Sequence, residues 1–108
     1  MTTKKTIERG LPTGFTMACT KWGVELTGGL AANTAASAQT EFKKSVISMD
    51  LAITNREIHS EDFMYSVFWH EMWHVIMDTM GEHELCLDEH RADAFGNLMH
   101  QAIKTMEY

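Results

Sequence analysis

Proline occurs once in these 108 residues, at Pro12, and cysteine twice, at Cys19 and Cys86. Two cysteines without an export signal are expected to be free and reduced rather than part of a disulfide framework. The opening segment MTTKKTIERG carries charges but no apolar core, so no secretory signal is read from it, and a cytoplasmic location is expected. No apolar run approaches the length that would span a bilayer, which argues against a membrane partner. Cations are scarce in the second half, where Arg56, Arg91 and Lys104 are the only ones after Lys44. The net charge of -6 disfavours a nucleic acid held through its phosphates and favours a divalent cation instead. A hydrophobic share of 44% sets aside disorder as the default, and the length fits a single domain over residues 1–108. Oligomeric state is not legible.

Along the chain, residues 1 to about 14 read as a loose lead-in. From Phe15 to Leu26, β-branched and aromatic residues alternate loosely with polar ones around Lys21 to Gly23, fitting one or two short strands or a hairpin. The small-residue stretch TGGLAANTAASAQT lacks apolar periodicity and reads as a long surface loop, with a helical turn through its alanines as the other option. The segment KKSVISMDLAI is a short strand candidate, with Ile47, Met49 and Leu51 on one face.

Helix signals begin at Ser60, an apt N-cap followed by Glu61 and Asp62, where the macrodipole favours negative charge. Apolar residues run on to Met80, and Gly81 suits the position just past the helix end. The segment EHELCLDE reads as a short connection. Asp88 is placed to cap a second helix, in which Ala92, Phe95, Leu98, Met99, Ala102, Ile103 and Met106 form an apolar stripe expected to face the core. The fold class is therefore α+β, with short strands first and two helices after them.

Within the first helix lies FWHEMWHVIMD, which sets polar groups among tryptophan, methionine and branched aliphatics. At helical pitch His70 and His74 stand one turn apart on one face, where two imidazoles can share a metal ion. Glu71 projects beside that ion and can serve as general base; this is the H-E-x-x-H spacing. A catalytic zinc needs a third protein ligand and a fourth position left for water. Glu89 is the preferred third ligand, with Asp93, one turn on, fixing the tautomer of a ligand histidine. Asp88 and His90 could substitute if the helix phase differs. Cys86 would give a His-His-Cys set like that of the peptide deformylases, but no separate cysteine motif precedes the histidine pair. His83 does not fit the metzincin spacing, whose positions are taken here by Met77 and Met80. His59 and His100 read as surface residues without a role.

HEMWH followed by EHRADAFGN resembles the gluzincin arrangement, H-E-x-x-H with a later E-x-x-x-D, and more closely resembles the compact ImmA/IrrE-type and phage-encoded zinc metallopeptidases. Their pattern is a strand, a metal-binding helix and then E-x-x-A-[DN]-x-F-[AG]. SVISMD would be the strand, and Glu89, Ala92, Asp93, Phe95 and Gly96 fall at the matching places. The similarity covers about residues 44 to 103. It implies a minimal zincin-like fold, a hairpin plus an edge strand ahead of two helices, with Zn2+ on His70, His74 and Glu89 and with Glu71 as base. Trp73 stands where many members carry glycine or a smaller residue, and its indole is expected to narrow the space around the metal-binding helix.

The expected chemistry is hydrolysis of a peptide bond in an extended or unfolded protein segment, bound by edge addition to the strand at residues 45 to 50. His83, His90, Arg91, Tyr65 and Tyr108 are the candidates for oxyanion stabilisation. The rival from another class is a non-catalytic, metal-stabilised binding module or adaptor, for which nine methionines and three tryptophans could supply an apolar surface. A DNA-associated protease of the SprT-like kind uses the same motif, but this acidic chain has no basic or zinc-ribbon segment to accompany it.

Overall fold

A computed structural model describes residues 11–27, 38–50 and 60–108. The lead-in to residue 10, most of the stretch read as a surface loop, and the segment holding Leu51 and His59 lie outside the described residues. The class is α+β: a four-stranded mixed sheet followed by two long helices.

The first two strands, β1 (Gly14–Met17) and β2 (Thr20–Thr27), form an antiparallel hairpin in which Phe15 faces Trp22. The turn falls at Ala18 and Cys19, and Lys21 to Gly23 lie inside β2. Both turn residues have positive φ, 48° and 68°, the left-handed pair that matches the twist of a two-residue hairpin. Gly14 is required by a close approach, since a Cβ there would stand 2.6 Å from the Trp22 carbonyl oxygen. The Phe15 and Trp22 rings stack with centroids 6.0 Å apart, and Phe15 meets the edge of Phe68 below.

Two further strands, β3 (Ala38–Glu41) and β4 (Val46–Asp50), complete the order β1-β2-β4-β3. β4 runs parallel to β2 and antiparallel to β3, so Ile47 is flanked by Val24 and Thr40. This corrects one expectation: residues 46–50 are an interior strand with both sides paired, and edge addition cannot occur there. The burial fits that position, with Ile47, Ser48, Met49 and Asp50 all buried. The edge is β3, drawn in part from the stretch read as loop. Its sequence AQTE has one β-branched residue, Thr40, and no aromatic, so it is held mainly by pairing to β4 rather than by propensity.

The long helix α1 (Glu61–Thr79) starts where Ser60 Oγ accepts a hydrogen bond from the Phe63 amide at 3.2 Å. It ends in a Schellman arrangement, with the Gly81 amide bonded to the Asp78 carbonyl and the Glu82 amide to the Met77 carbonyl. Gly81 adopts φ +79° there, which a side chain would resist. Met64, Phe68, Met72 and Val75 form the helix's apolar stripe and close over Trp22, Ile47 and Met49 to make the core. No helix among the described residues is long and apolar enough to cross a membrane.

The connection contains a single turn, α2 (His83–Cys86), before α3 (Glu89–Thr105). Asp88 caps α3 by accepting from the Arg91 amide at 3.0 Å. The apolar stripe expected to bury α3 does so only at its start. Ala92 is fully buried, but Leu98 is 63% and Met106 52% exposed, and Ala102 and Ile103 are exposed too. The helix instead turns its small residues to α1. A Cβ on Gly96 would lie 2.4 Å from the Ser66 carbonyl oxygen and 2.9 Å from the His70 amide, so backbones meet where glycine leaves room. That close approach selects the Ala92–Gly96 face over the bulkier one and brings the first turn of α3 beside His70.

Candidate metal centre

His70, Glu71 and His74 share the face of α1 that looks towards β3 and α3, and their ligand atoms all lie within 4.8 Å of one another. The two imidazole Nε2 atoms are 3.3 Å apart. From the start of α3, Glu89 Oε1 lies 2.8 Å from His70 Nε2 and 3.3 Å from His74 Nε2. All five residues singled out in the sequence meet here, because Asp93 Oδ1 lies 2.6 Å from His70 Nδ1.

The outer hydrogen bonds bear on which nitrogens are free. His74 Nδ1 faces the Cys86 carbonyl, which can only accept, so this nitrogen donates and Nε2 is left with its lone pair. His70 lies between two carboxylates, Asp93 at Nδ1 and Glu89 at Nε2; in the tautomer that donates to Asp93, its Nε2 is bare. With neutral rings, two nitrogen lone pairs and a carboxylate oxygen face one another across about 3 Å. Such an arrangement is repulsive unless a positive charge sits among them, either a proton or a cation. Ligands about 2.0–2.1 Å from a tetrahedral ion stand roughly 3.3 to 3.4 Å apart, which is the spacing of the two Nε2 atoms and of His74 from Glu89, while His70 and Glu89 stand closer, at hydrogen-bond distance. The donor set therefore fits a small divalent metal. The Glu89 side chain is 68% exposed, so the site opens to solvent on that side.

Glu71 is set apart from this trio. Its Oε1 accepts a hydrogen bond from Thr40 Oγ1 at 2.7 Å, while Oε2 lies 3.7 Å from His70 Nε2. Burial raises its pKa above the ordinary carboxylate range; the Thr40 hydroxyl and the two imidazoles pull the other way. A cavity of about 570 Å³ opens over these groups, walled by Ala38, Gln39 and Thr40 of β3, by Phe63 and Val67 of α1, and by Leu87.

The remaining candidates fall elsewhere. Cys86 turns its buried thiol to the His74 carbonyl at 3.3 Å and offers the site only its own carbonyl. Cys19 is exposed, and both cysteines are free. Asp88 is occupied as the cap of α3 and bonded to Arg91 at 2.9 Å. None of His83, His90, Arg91, Tyr65 and Tyr108 walls the cavity. His100, read as a surface residue, is instead stacked on Tyr65 and bonded to Asp62 at 2.8 Å, with its side chain only 13% exposed. Trp73 does not crowd the cavity. Its indole packs on Phe95 and donates to the Leu85 carbonyl at 2.7 Å, pinning the turn that carries the Cys86 carbonyl to His74.

Two contributors escaped the sequence reading. A main-chain carbonyl such as that of Cys86 leaves no trace in side-chain identity. Thr40 sits 31 positions before its partner on a short strand with little strand character in its sequence, and no local pattern links the two. Compared with known proteins, the chain matches no family model, no curated protein and no solved structure.

Proposed function

We propose that this chain is a zinc-dependent endopeptidase of the gluzincin type. The observation that carries the reading is the meeting of three lone-pair donors, His70 Nε2, His74 Nε2 and Glu89 Oε1, within 3.3 Å of one another beside a buried carboxylate that belongs to none of their hydrogen bonds. His70, His74 and Glu89 would hold the ion, and Asp93 would fix His70 in the ligating tautomer. Bound there, zinc supplies Lewis acidity towards a carbonyl and towards water.

The chain's own groups supply the rest. Glu71, raised in pKa by burial, takes a proton from the attacking water and hands it to the departing amine. β3 is paired only with β4 among the described residues, and its other side borders the cavity. An extended substrate segment would add to that edge, main chain to main chain, and lie across the two imidazoles. The substrate class is accordingly an unfolded or locally extended protein segment.

The test has two parts. Protein purified without a histidine tag should hold one zinc per chain, and a His70→Ala, His74→Ala double variant should hold none; absence of metal from both refutes the reading. Glu71→Gln should retain zinc and lose cleavage of an unfolded protein such as denatured casein. Cleavage that survives this change removes Glu71 from its role.

A second reading is favoured by the exposed Leu98 on α3 and Met106 just past its end: a metal-stabilised adaptor that works by contact. For such a protein Glu71→Gln would leave function intact.

A further inference from the structure

We infer that Thr40 decides what Glu71 does, holding its carboxylate out of the metal's coordination shell so that it stays a base and does not become a fourth ligand. The inference rests on the metal-centre reading above and concerns a residue outside the H-E-x-x-H helix.

Glu71 is close enough to coordinate. Its Oε2 stands 3.7 Å from His70 Nε2, only a few tenths of an ångström beyond the roughly 3.3 to 3.4 Å that separates two ligands of one tetrahedral ion. A small rotation of the side chain would bring that oxygen into contact, and a buried carboxylate beside a dication has every electrostatic reason to make it. Among the described residues, a hydrogen bond opposes this rotation. Oε1, on the far side of the carboxylate, is tied to Thr40 Oγ1 at 2.7 Å. Thr40 is itself fixed, because β3 is paired to the interior strand β4 with Thr40 opposite Ile47. The hydroxyl thus anchors Glu71 to the sheet, whereas the three proposed ligands belong to α1 and α3.

Loss of that anchor should free the carboxylate to enter the shell. The site would then hold metal more firmly, with Glu71 added as a fourth protein ligand beside the position kept for water, which reverses the usual expectation that damage near a metal weakens binding. Thr40 is on this account a positioning residue, acting only through Glu71.

Cobalt(II) provides the probe, since its visible absorption reports coordination number. Metal-free wild type titrated with cobalt should develop the intense bands of a four-coordinate site. In Thr40→Val these bands should weaken roughly twofold or more as the shell expands. Cobalt affinity should rise on the order of tenfold, the scale on which groups next to a ligand act. Thr40→Ser should restore both properties, and the effect of Thr40→Val should vanish in a Glu71→Ala background. Should Thr40→Val fail to fold, Thr40→Ala removes the same hydroxyl and carries the same expectation. A folded Thr40 variant with wild-type spectrum and affinity overturns the inference while leaving the metal centre in place. A spectral change that persists without Glu71 overturns it as well. Wild type that binds no cobalt overturns the inference and the metal reading together.

Discussion

Glu71 is the residue on which the proposed chemistry and the stability of the chain pull in opposite directions. It is 5% exposed, and burial raises its pKa. A carboxyl with a raised folded pKa binds its proton more tightly in the folded chain. The burden on folding is therefore absent below the ordinary carboxylate value, grows as pH climbs through it, and is complete above the raised one. Glu71→Gln removes the titration. In metal-free protein the variant's melting temperature should gain on wild type as pH rises from about 4 to about 7. A difference that stays constant over that range would show that the carboxyl is not strained by burial. His70 depends on a side chain for its tautomer and His74 on a main-chain carbonyl. Asp93→Ala should consequently weaken zinc binding about 10–100-fold by competition against a chromophoric chelator, whereas Cys86→Ala should leave it nearly unchanged.

Among the elements, α1 was the most legible in sequence and β3 the least, for reasons that lie in what each element uses to hold itself. Ser60, the acidic first turn, the apolar stripe and Gly81 all act locally, so spacing alone marks both ends of α1. Asp88 announces α3 in the same way. What spacing could not show is which face of α3 is buried. The large apolar residues suggested one face, and the absence of a Cβ at Gly96 decided for another. The histidine pair and Glu71 were visible because helical pitch fixes their separation, but Thr40 and the Cys86 carbonyl reach the site only through tertiary structure. The helix contact gives a prediction of its own. Gly96→Ala would force its methyl against the Ser66 carbonyl and the His70 amide, which are backbone atoms that cannot step aside. It should cost about 1–3 kcal/mol in denaturant unfolding and weaken zinc binding through displacement of Glu89. Unchanged stability and affinity would mean that the two helices have slack where the structure shows contact.

For the molecule as a whole, the sheet and α1 enclose the core, and α3 takes nearly all of its packing from α1. An ion held by His70, His74 and Glu89 would span that junction. Zinc at about 100 times its dissociation constant should stabilise the fold by roughly 2.7 kcal/mol, about 10 °C in melting temperature for a chain of this size, and a chelator should reverse the gain. Equal melting curves with and without chelator would contradict this. The same arrangement sets an order of events. Without the ion α3 is fastened along a single narrow seam, so its amides should exchange with deuterium well before those of α1 and β4, and adding zinc should slow them selectively. A protease of this build would carry its own safety catch: starved of metal, it would loosen first at the helix that completes its active centre, and become harmless before it came apart.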